Sequence, residues 1–143
     1  MMKEKIIKIL LVEDDEVDVM NVKRAFKKNN VTNPLYIAGN GIEALEFLNS
    51  EYKTNPHDYP RIVLLDLNMP KMGGIEFLRE LRNNDHLKNI SVFVMTTSNE
   101  DNDKIDAYNL NVAGYILKPL SMDQFMSVVS TLSNYWKLCE FPV

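Results

Sequence analysis

The sequence has 143 residues, of which 45% are hydrophobic and 25% charged, as is typical of one soluble globular domain. Its formal net charge of −4 argues against a protein that binds nucleic acid through a basic face. The apolar run near the N-terminus is short and interrupted by Lys8, so we expect neither a membrane segment nor a secretion signal. One cysteine, Cys139, cannot form an internal disulfide, which favours the reducing cytoplasm. Cys139, His57 and His86 show no metal-ligand spacing.

In the first half of the chain, short apolar runs alternate with segments of helical periodicity. Residues 6–12 are nearly continuous in β-branched and leucine side chains, which predicts a strand buried on both faces. Residues 15–29 carry apolar side chains at helical spacing, and residues 35–38 form a short second strand. Asn40, with Glu43 three positions later, predicts the capped start of a second helix. Residues 50–60 contain two prolines and are predicted to form the longest loop.

The same alternation continues in the second half. Strands are predicted over residues 61–66, 91–96 and 114–117. Helices are expected after Gly73 and Gly74, over residues 99–110 with weak amphipathicity, and after the capping box of Ser121 and Gln124. Strands that alternate with helices predict an α/β domain with a parallel sheet and right-handed crossovers. We expect one domain over residues 1–143, with a core at about 5–138 and a short aromatic tail at 139–143.

Polar residues follow the predicted strands, where a parallel sheet of this kind places its ligands. Carboxylates, a hydroxyl and an ammonium should therefore meet at one edge, which suits an oxygen-ligated divalent cation and a phosphoryl group. The residues concerned are Glu13, Asp14 and Asp15 after the first strand, Asp66 and Asn68 after the third, Thr96, Thr97 and Ser98 at the fourth, and Lys118 and Pro119 after the fifth.

These strand-end residues belong to longer motifs, and the motifs in this order resemble the receiver domain of two-component response regulators. The resemblance implies a doubly wound (βα)5 sandwich with helices on both faces and the flavodoxin-like strand order 2-1-3-4-5. The loop before Asp66 and the aromatic residues Tyr135 and Trp136 also resemble small single-domain regulators associated with bacterial phytochromes. The matching motifs lie at residues 11–14, 65–70, 73–74, 95–97 and 114–119.

The resemblance implies a role for each matching residue. Asp66 corresponds to the phosphoacceptor, and a Mg²⁺ or Mn²⁺ ion would be held by Glu13, Asp14, Asp66 and the backbone carbonyl of Asn68. Thr96 corresponds to the switch hydroxyl that closes on the phosphoryl oxygens, and Tyr115 to the aromatic switch residue. Lys118 corresponds to the ammonium that pairs first with the acceptor and then with the phosphoryl group. A cis peptide bond is expected between Lys118 and Pro119, since only an X–Pro bond makes the cis form cheap.

The function that the resemblance implies is a phosphorylation-dependent signalling switch rather than an enzyme acting on another substrate. The phosphoryl group would come from a sensor histidine kinase or a histidine phosphotransfer protein, in the cytoplasm. The signal would pass by protein–protein contact, with a partner or a second copy of the chain, and without nucleic acid or membrane. Residues 99–110, the strand with Tyr115 and the final helix would form the signalling surface.

Each site residue also has a purely structural interpretation when it is considered alone. Asp14 or Asp15 could cap the first helix, and Asp66 could form a turn. Thr96 could be an ordinary strand residue, Lys118 a solvated lysine, and Tyr115 a half-buried aromatic. Only their joint occurrence at one sheet edge favours the functional interpretation.

The predicted fold is compatible with three alternative functions. A phosphohydrolase with an aspartate nucleophile would need a second acid two residues after Asp66, where Asn68 cannot shuttle a proton. A flavodoxin-like nucleotide binder would need a hydroxyl- and glycine-rich loop after the first strand, where Glu13, Asp14 and Asp15 would instead repel a phosphate. A receiver-like interaction module that is never phosphorylated keeps the fold, and the full set of site residues argues against it.

Overall fold

A computed structural model describes residues 6–118 and 120–141 of the chain. Pro119 is not described, so the cis bond predicted between Lys118 and Pro119 lies outside these residues. Strands and helices alternate along the whole described chain. The strands are β1 Ile9–Val12, β2 Leu35–Ala38, β3 Ile62–Leu65, β4 Ser91–Thr96 and β5 Gly114–Leu117, and the helices are α1 Glu16–Lys28, α2 Gly41–Thr54, α3 Gly74–Arg82, α4 Asp101–Asn109 and α5 Met122–Leu138.

The strands form one parallel sheet in the order β2-β1-β3-β4-β5, which confirms the predicted fold class and strand order. The first strand lies between the second and third, and Leu11 is paired with Ile37 on one side and Leu64 on the other. The chain therefore reverses its direction of travel across the sheet after β2. The carboxyl ends of β1 and β3 meet at this reversal, where a doubly wound sheet opens a crevice for ligands.

Alternate strand residues supply two separate cores, one on each face of the sheet. Leu10, Val12, Val63 and Leu65 face α2, α3 and α4, and all four are fully buried. Their sequence neighbours point to the opposite face, where α1 and α5 pack. Because the strands are buried on both faces, their apolar runs are nearly continuous rather than alternating. This property makes the central strands easy to find in the sequence.

Local capping contacts start several helices where the sequence predicts them. The Asp15 carboxylate accepts hydrogen bonds from the amides of Val17 and Asp18, so Asp15 is the N-cap of α1. The Asn40 side chain caps α2 in the same way. Ser121 and Gln124 form the predicted capping box of α5. These caps satisfy backbone amides that would otherwise lack partners in the first turn.

Two boundaries differ by more than two residues from those that periodicity predicts. The second helix runs to Thr54, so residues 50–54 are helical and the loop begins at Asn55. The ring of Tyr52 lies edge-on to that of Tyr59 at 5.2 Å, and this tertiary contact supports the last helical turn. The first strand begins at Ile9 rather than at residue 6, because its pairing with Leu35 and Ile62 starts there.

The helices differ in how firmly they are anchored. Trp136 of α5 is fully buried and its ring packs against Phe26 of α1, with 6.1 Å between ring centroids. By contrast, α4 buries a single residue, Ala107, as its weak amphipathicity predicts. Along residues 6–118 and 120–141, no helix combines the length and apolar character needed to cross a membrane.

Candidate functional site

Carboxylates from the ends of β1 and β3 converge at the crevice. The amide of Glu13 donates to the carbonyl of Ala38 at 2.9 Å, and that of Asp66 donates to the carbonyl of Val12 at 3.0 Å. These backbone bonds extend the sheet ladder by one residue and fix both side chains at the edge. Carboxylate oxygens of Glu13, Asp14 and Asp66 lie within 4.8 Å of one another. Glu13 and Asp66 are buried, whereas Asp14 is exposed, so the cluster opens to solvent on one side.

The electrostatics of this cluster favour a cation. Burial, followed by the negative charge of Asp66, raises the pKa of Glu13 to about 7, against a smaller lowering by Lys118. Like-charged carboxylates at this spacing repel unless a cation lies among them. Three carboxylates in a cluster that opens to solvent at Asp14 also match the oxygen ligands that Mg²⁺ and Mn²⁺ prefer. The residues present therefore fit a divalent metal ion.

The loop after β3 holds Asn68 close to this cluster. The backbone amide of Asn68 donates to Asp66 Oδ1 at 3.3 Å, and its side-chain amide donates to Thr97 Oγ1 at 3.3 Å. Gly74 lets the start of α3 approach the same loop, because a Cβ there would lie 2.6 Å from the Asp66 carbonyl oxygen. A side chain at position 74 would therefore push this loop away from α3.

Thr96 and Tyr115 are connected through Ser98 in the loop after β4. The Thr96 hydroxyl is fully buried and accepts a hydrogen bond from the Ser98 amide at 3.3 Å. The Tyr115 hydroxyl donates to the Ser98 carbonyl at 2.8 Å, and the Ser98 hydroxyl donates to Asp103 in α4. Burial is the main cause that raises the pKa of Tyr115. These contacts link β4, β5 and the start of α4 through one short loop.

Lys118 enters the site from the end of β5. Its amide donates to the Thr96 carbonyl at 2.8 Å, which holds its backbone beside β4. Its ammonium is 3.1 Å from Glu13 Oε2 and 2.6 Å from Asp18 Oδ2. The resemblance implies a pair between Lys118 and Asp66, but in this structure the ammonium lies within ion-pair distance of Glu13 and Asp18 instead. Burial lowers the pKa of Lys118, but the hydrogen bond to Asp18 and the charges of Glu13 and Asp66 outweigh it, so the pKa is raised.

Asp18 is the one member of this group that sequence reasoning missed. It lies on α1 rather than after a strand, so a search limited to strand ends does not reach it. Its spacing from Asp14 gives no helical signal, because α1 begins at Glu16 and Asp14 precedes the N-cap Asp15. Asp18, Glu13, Asp66 and Lys118 line a common cavity of about 10 Å³, roughly the space of one water molecule.

The sequence and the fold are both similar to those of known proteins. The model of the response regulator receiver domain family matches residues 9–130. Response regulator Rcp1 of Synechocystis sp. is 37% identical over 130 residues, which cover 90% of this chain and 87% of Rcp1. The structure of the phosphorylated cyanobacterial phytochrome response regulator RcpA superposes with a TM-score of 0.85, at 31% identity, over 97% of this chain and 100% of RcpA. The bacteriophytochrome response regulator AtBRR gives a TM-score of 0.74 at 35% identity, over 96% of this chain and 99% of AtBRR.

These findings confirm the resemblance to receiver domains and to the single-domain regulators associated with phytochromes, and they give no support to the alternative functions. Receiver domains bind Mg²⁺ or Mn²⁺ through acidic residues, and one solved structure is the Mn²⁺-bound form of Rcp1. Receiver domains are phosphorylated by histidine kinases and signal through that phosphorylation. The chain belongs to the response regulator receiver domain family and is a phosphorylation-dependent switch of two-component signalling.

Proposed function

We propose that Asp66 accepts the phosphoryl group and that residues 1–143 act as a single receiver domain. The observation that carries this proposal is the meeting of Glu13, Asp14 and Asp66 oxygens within 4.8 Å at the crevice of the sheet. Asp66 alone of these three follows β3, the central strand of the sheet, and like Glu13 it is buried and borders the cavity that Lys118 also lines. This position suits a nucleophile that must be shielded from bulk water.

The reaction follows from the roles of the surrounding groups. A carboxylate oxygen of Asp66 would attack the phosphorus of a phosphohistidine or a small acyl phosphate. The new O–P bond forms as the bond to the donor breaks, and the donor leaves with that electron pair. Glu13, Asp14, Asp66 and the Asn68 carbonyl would hold the divalent ion, which neutralises charge on the phosphoryl group. Lys118 would then pair with a phosphoryl oxygen.

The added charge provides the signal. A phosphoryl group brings roughly −1.5 to −2 units of charge, which would draw the Thr96 hydroxyl toward it. Movement of Thr96 would disturb its bond with the Ser98 amide, and Ser98 also holds Tyr115 and Asp103. Because α4 buries only Ala107, a modest force would shift it. The signalling surface would then be α4, β5 and α5.

The finer aspects of function follow from the same proposal. The protein would catalyse only its own phosphorylation and dephosphorylation, since Asn68 offers no acid to activate water for rapid turnover. Its phosphoryl donor would be a cytoplasmic sensor histidine kinase or a histidine phosphotransfer protein. Its output would be contact with a partner protein or with a second copy of the chain, and neither nucleic acid nor a membrane would take part.

Intact-mass measurement after incubation with acetyl phosphate and Mg²⁺ tests the proposal. The protein should gain one phosphoryl group, and the gain should disappear with EDTA or in Asp66→Asn. The matched control is Asp15→Asn, which removes a nearby carboxylate but keeps a side chain able to cap α1. Label that persists in Asp66→Asn would place the acceptor elsewhere and refute the assignment.

A further inference from the structure

The ammonium of Lys118 has two carboxylate partners that differ in exposure. Glu13 lies 3.1 Å away and its side chain is 5% exposed, whereas Asp18 lies 2.6 Å away and is 25% exposed. The Lys118 side chain is itself only 7% exposed. The shorter contact is therefore made with the more exposed partner. Water can replace Lys118 around Asp18 more easily than around Glu13, so breaking the contact with Asp18 costs less free energy.

Asp18 is held in place by its own helix. The N-cap Asp15 accepts a hydrogen bond from the Asp18 amide at 3.2 Å, which fixes the first turn of α1. One turn later Val22 is buried between the sheet and α5, so this face of α1 is pressed against the site. The carboxylate of Asp18 thus has a fixed anchor, whereas Lys118 carries its charge on a flexible four-carbon stem.

A bound cation would leave Asp18 as the main partner of Lys118. The three carboxylates that can share a metal ion are Glu13, Asp14 and Asp66, and Asp18 is outside this group. An ion held there would compete for the Glu13 oxygens and repel the ammonium. Asp18 would then retain Lys118 at the side of the cavity away from the metal.

We propose that Asp18 is a positioning residue, which holds the Lys118 ammonium away from Asp66 until a phosphoryl group competes for it. The inference rests on the proposed function, in which Lys118 pairs with the phosphoryl oxygens. A phosphoryl group with roughly −1.5 to −2 units of charge attracts the ammonium more strongly than one carboxylate does. Asp18 therefore disfavours the arrangement in which Lys118 binds the phosphoryl group, because the contact between Lys118 and Asp18 must first be broken. The free energy of that contact lowers the affinity of the site for a phosphoryl group.

Beryllofluoride, a stable mimic of a phosphoryl group on a carboxylate, gives an equilibrium test. Its apparent Kd is measured at saturating Mg²⁺ from amide NMR signals, and urea denaturation confirms that each variant is folded. In Asp18→Asn, Lys118 no longer has to leave a carboxylate, so we expect the apparent Kd to fall about three- to tenfold. Asp18→Glu should return the Kd toward that of the wild type.

The matched control is Asp15→Asn, which removes one negative charge beside the site without a contact to Lys118. It should change the Kd by less than about twofold, since an exposed charge is well screened. A crystal structure of unphosphorylated Asp18→Asn with Mg²⁺ bound gives a second readout, because the ion would then occupy the Glu13 oxygens and the Lys118 ammonium should lie within hydrogen-bond distance of Asp66.

An Asp18→Asn affinity within twofold of the Asp15→Asn value overturns the inference. So does a crystal structure in which Lys118 stays away from Asp66. Failure of the wild-type protein to take up a phosphoryl group would instead refute the proposed function, and the position of Lys118 in the Asp18→Asn crystal would still decide whether Asp18 holds it.

Discussion

Two partly buried cations lie at opposite edges of the sheet, Arg82 near the start of β4 and Lys118 after the end of β5, and their partners differ in kind. Arg82, at the end of α3, donates to the backbone carbonyls of Leu110, Lys88, Ile90 and Asn111 at 2.7, 2.8, 2.7 and 3.1 Å. Lys118, at the opposite edge, is bound by the carboxylates of Glu13 and Asp18. The first set of partners is neutral backbone, and the second is charged side chain.

Because of this difference we call Arg82 the structural cation and Lys118 the exchangeable cation, whose partners can change. The four carbonyls that bind Arg82 do not titrate and are not among the proposed metal ligands, so neither a proton nor the divalent ion competes with Arg82 for them. Although burial lowers the pKa of Arg82, a guanidinium stays charged in proteins. Of the two carboxylates that bind Lys118, Glu13 also belongs to the group that can hold a metal ion, and its pKa is raised, so a metal ion or a proton can displace Lys118 from it. The Arg82 edge joins α3, the C-terminal end of α4 and the start of β4, whereas the Lys118 edge can rearrange.

Removing the structural cation should have the largest effect on stability. Arg82→Ala leaves four carbonyls without their donor, and we expect a loss of about 2–4 kcal/mol in the free energy of unfolding. Urea denaturation measures this loss.

Arg79→Ala on the same helix is the matched control for Arg82→Ala. The Arg79 side chain is 58% exposed and 3.8 Å from Asp106, so its removal should cost at most about 0.5 kcal/mol. Equal losses in the two variants would show that the carbonyl contacts of Arg82 contribute little to stability, and that Arg82 is not a structural cation.

The carboxylates at the Lys118 edge of the sheet should make the free energy of unfolding depend on pH. The pKa of Glu13 is raised from its ordinary value of 4.5 to about 7 in the folded protein. Between these values the folded state binds more protons than the unfolded chain, so stability falls as pH rises. In EDTA, we expect Glu13 to contribute a fall of about 1–3 kcal/mol over this window, measured by urea denaturation at each pH.

Glu13→Gln should flatten this slope, and saturating Mg²⁺ should reverse it by stabilising the ionised carboxylates. Arg82 adds nothing to the slope, because neither its guanidinium nor its carbonyl partners titrate in this range. A slope that is the same in the wild type and in Glu13→Gln would contradict the assigned cause.

Most of the candidate site could be predicted from the sequence because its residues lie at strand ends. Glu13, Asp66 and Lys118 were found because each follows an apolar run, and the parallel sheet brings such positions together. Asp18 was not predicted because it lies within a helix. Its contact with Lys118 depends on how α1 packs against the end of β5, which the spacing of residues along the sequence does not specify. The contacts of Arg82 were not predictable either, because backbone carbonyls carry no residue signature.

The smallest expected effect is on the lifetime of the phosphoryl group on Asp66, at the Lys118 edge of the sheet. Thr97 is exposed, follows the proposed switch residue Thr96, and accepts a hydrogen bond from the Asn68 side chain at 3.3 Å. Since Asn68 also contacts Asp66, we expect both residues to border the approach to Asp66 that an attacking water would use. Thr97 is branched at Cβ and therefore stiff, so it should obstruct this water more than alanine would. We expect wild-type self-dephosphorylation to take minutes rather than seconds.

Thr97→Ala should speed loss of the phosphoryl group by about two- to fivefold, less than 1 kcal/mol in barrier height, with Mg²⁺ affinity nearly unchanged. The rate is followed by intact mass after removal of the phosphoryl donor. Thr97→Val separates bulk from hydrogen bonding, since valine keeps the branched shape but cannot accept the Asn68 amide. If bulk obstructs the water, the valine variant should lose its label at the wild-type rate. If the valine variant is instead as fast as the alanine variant, the bond to Asn68 controls access. An unchanged rate in both would show that Thr97 does not restrict the water.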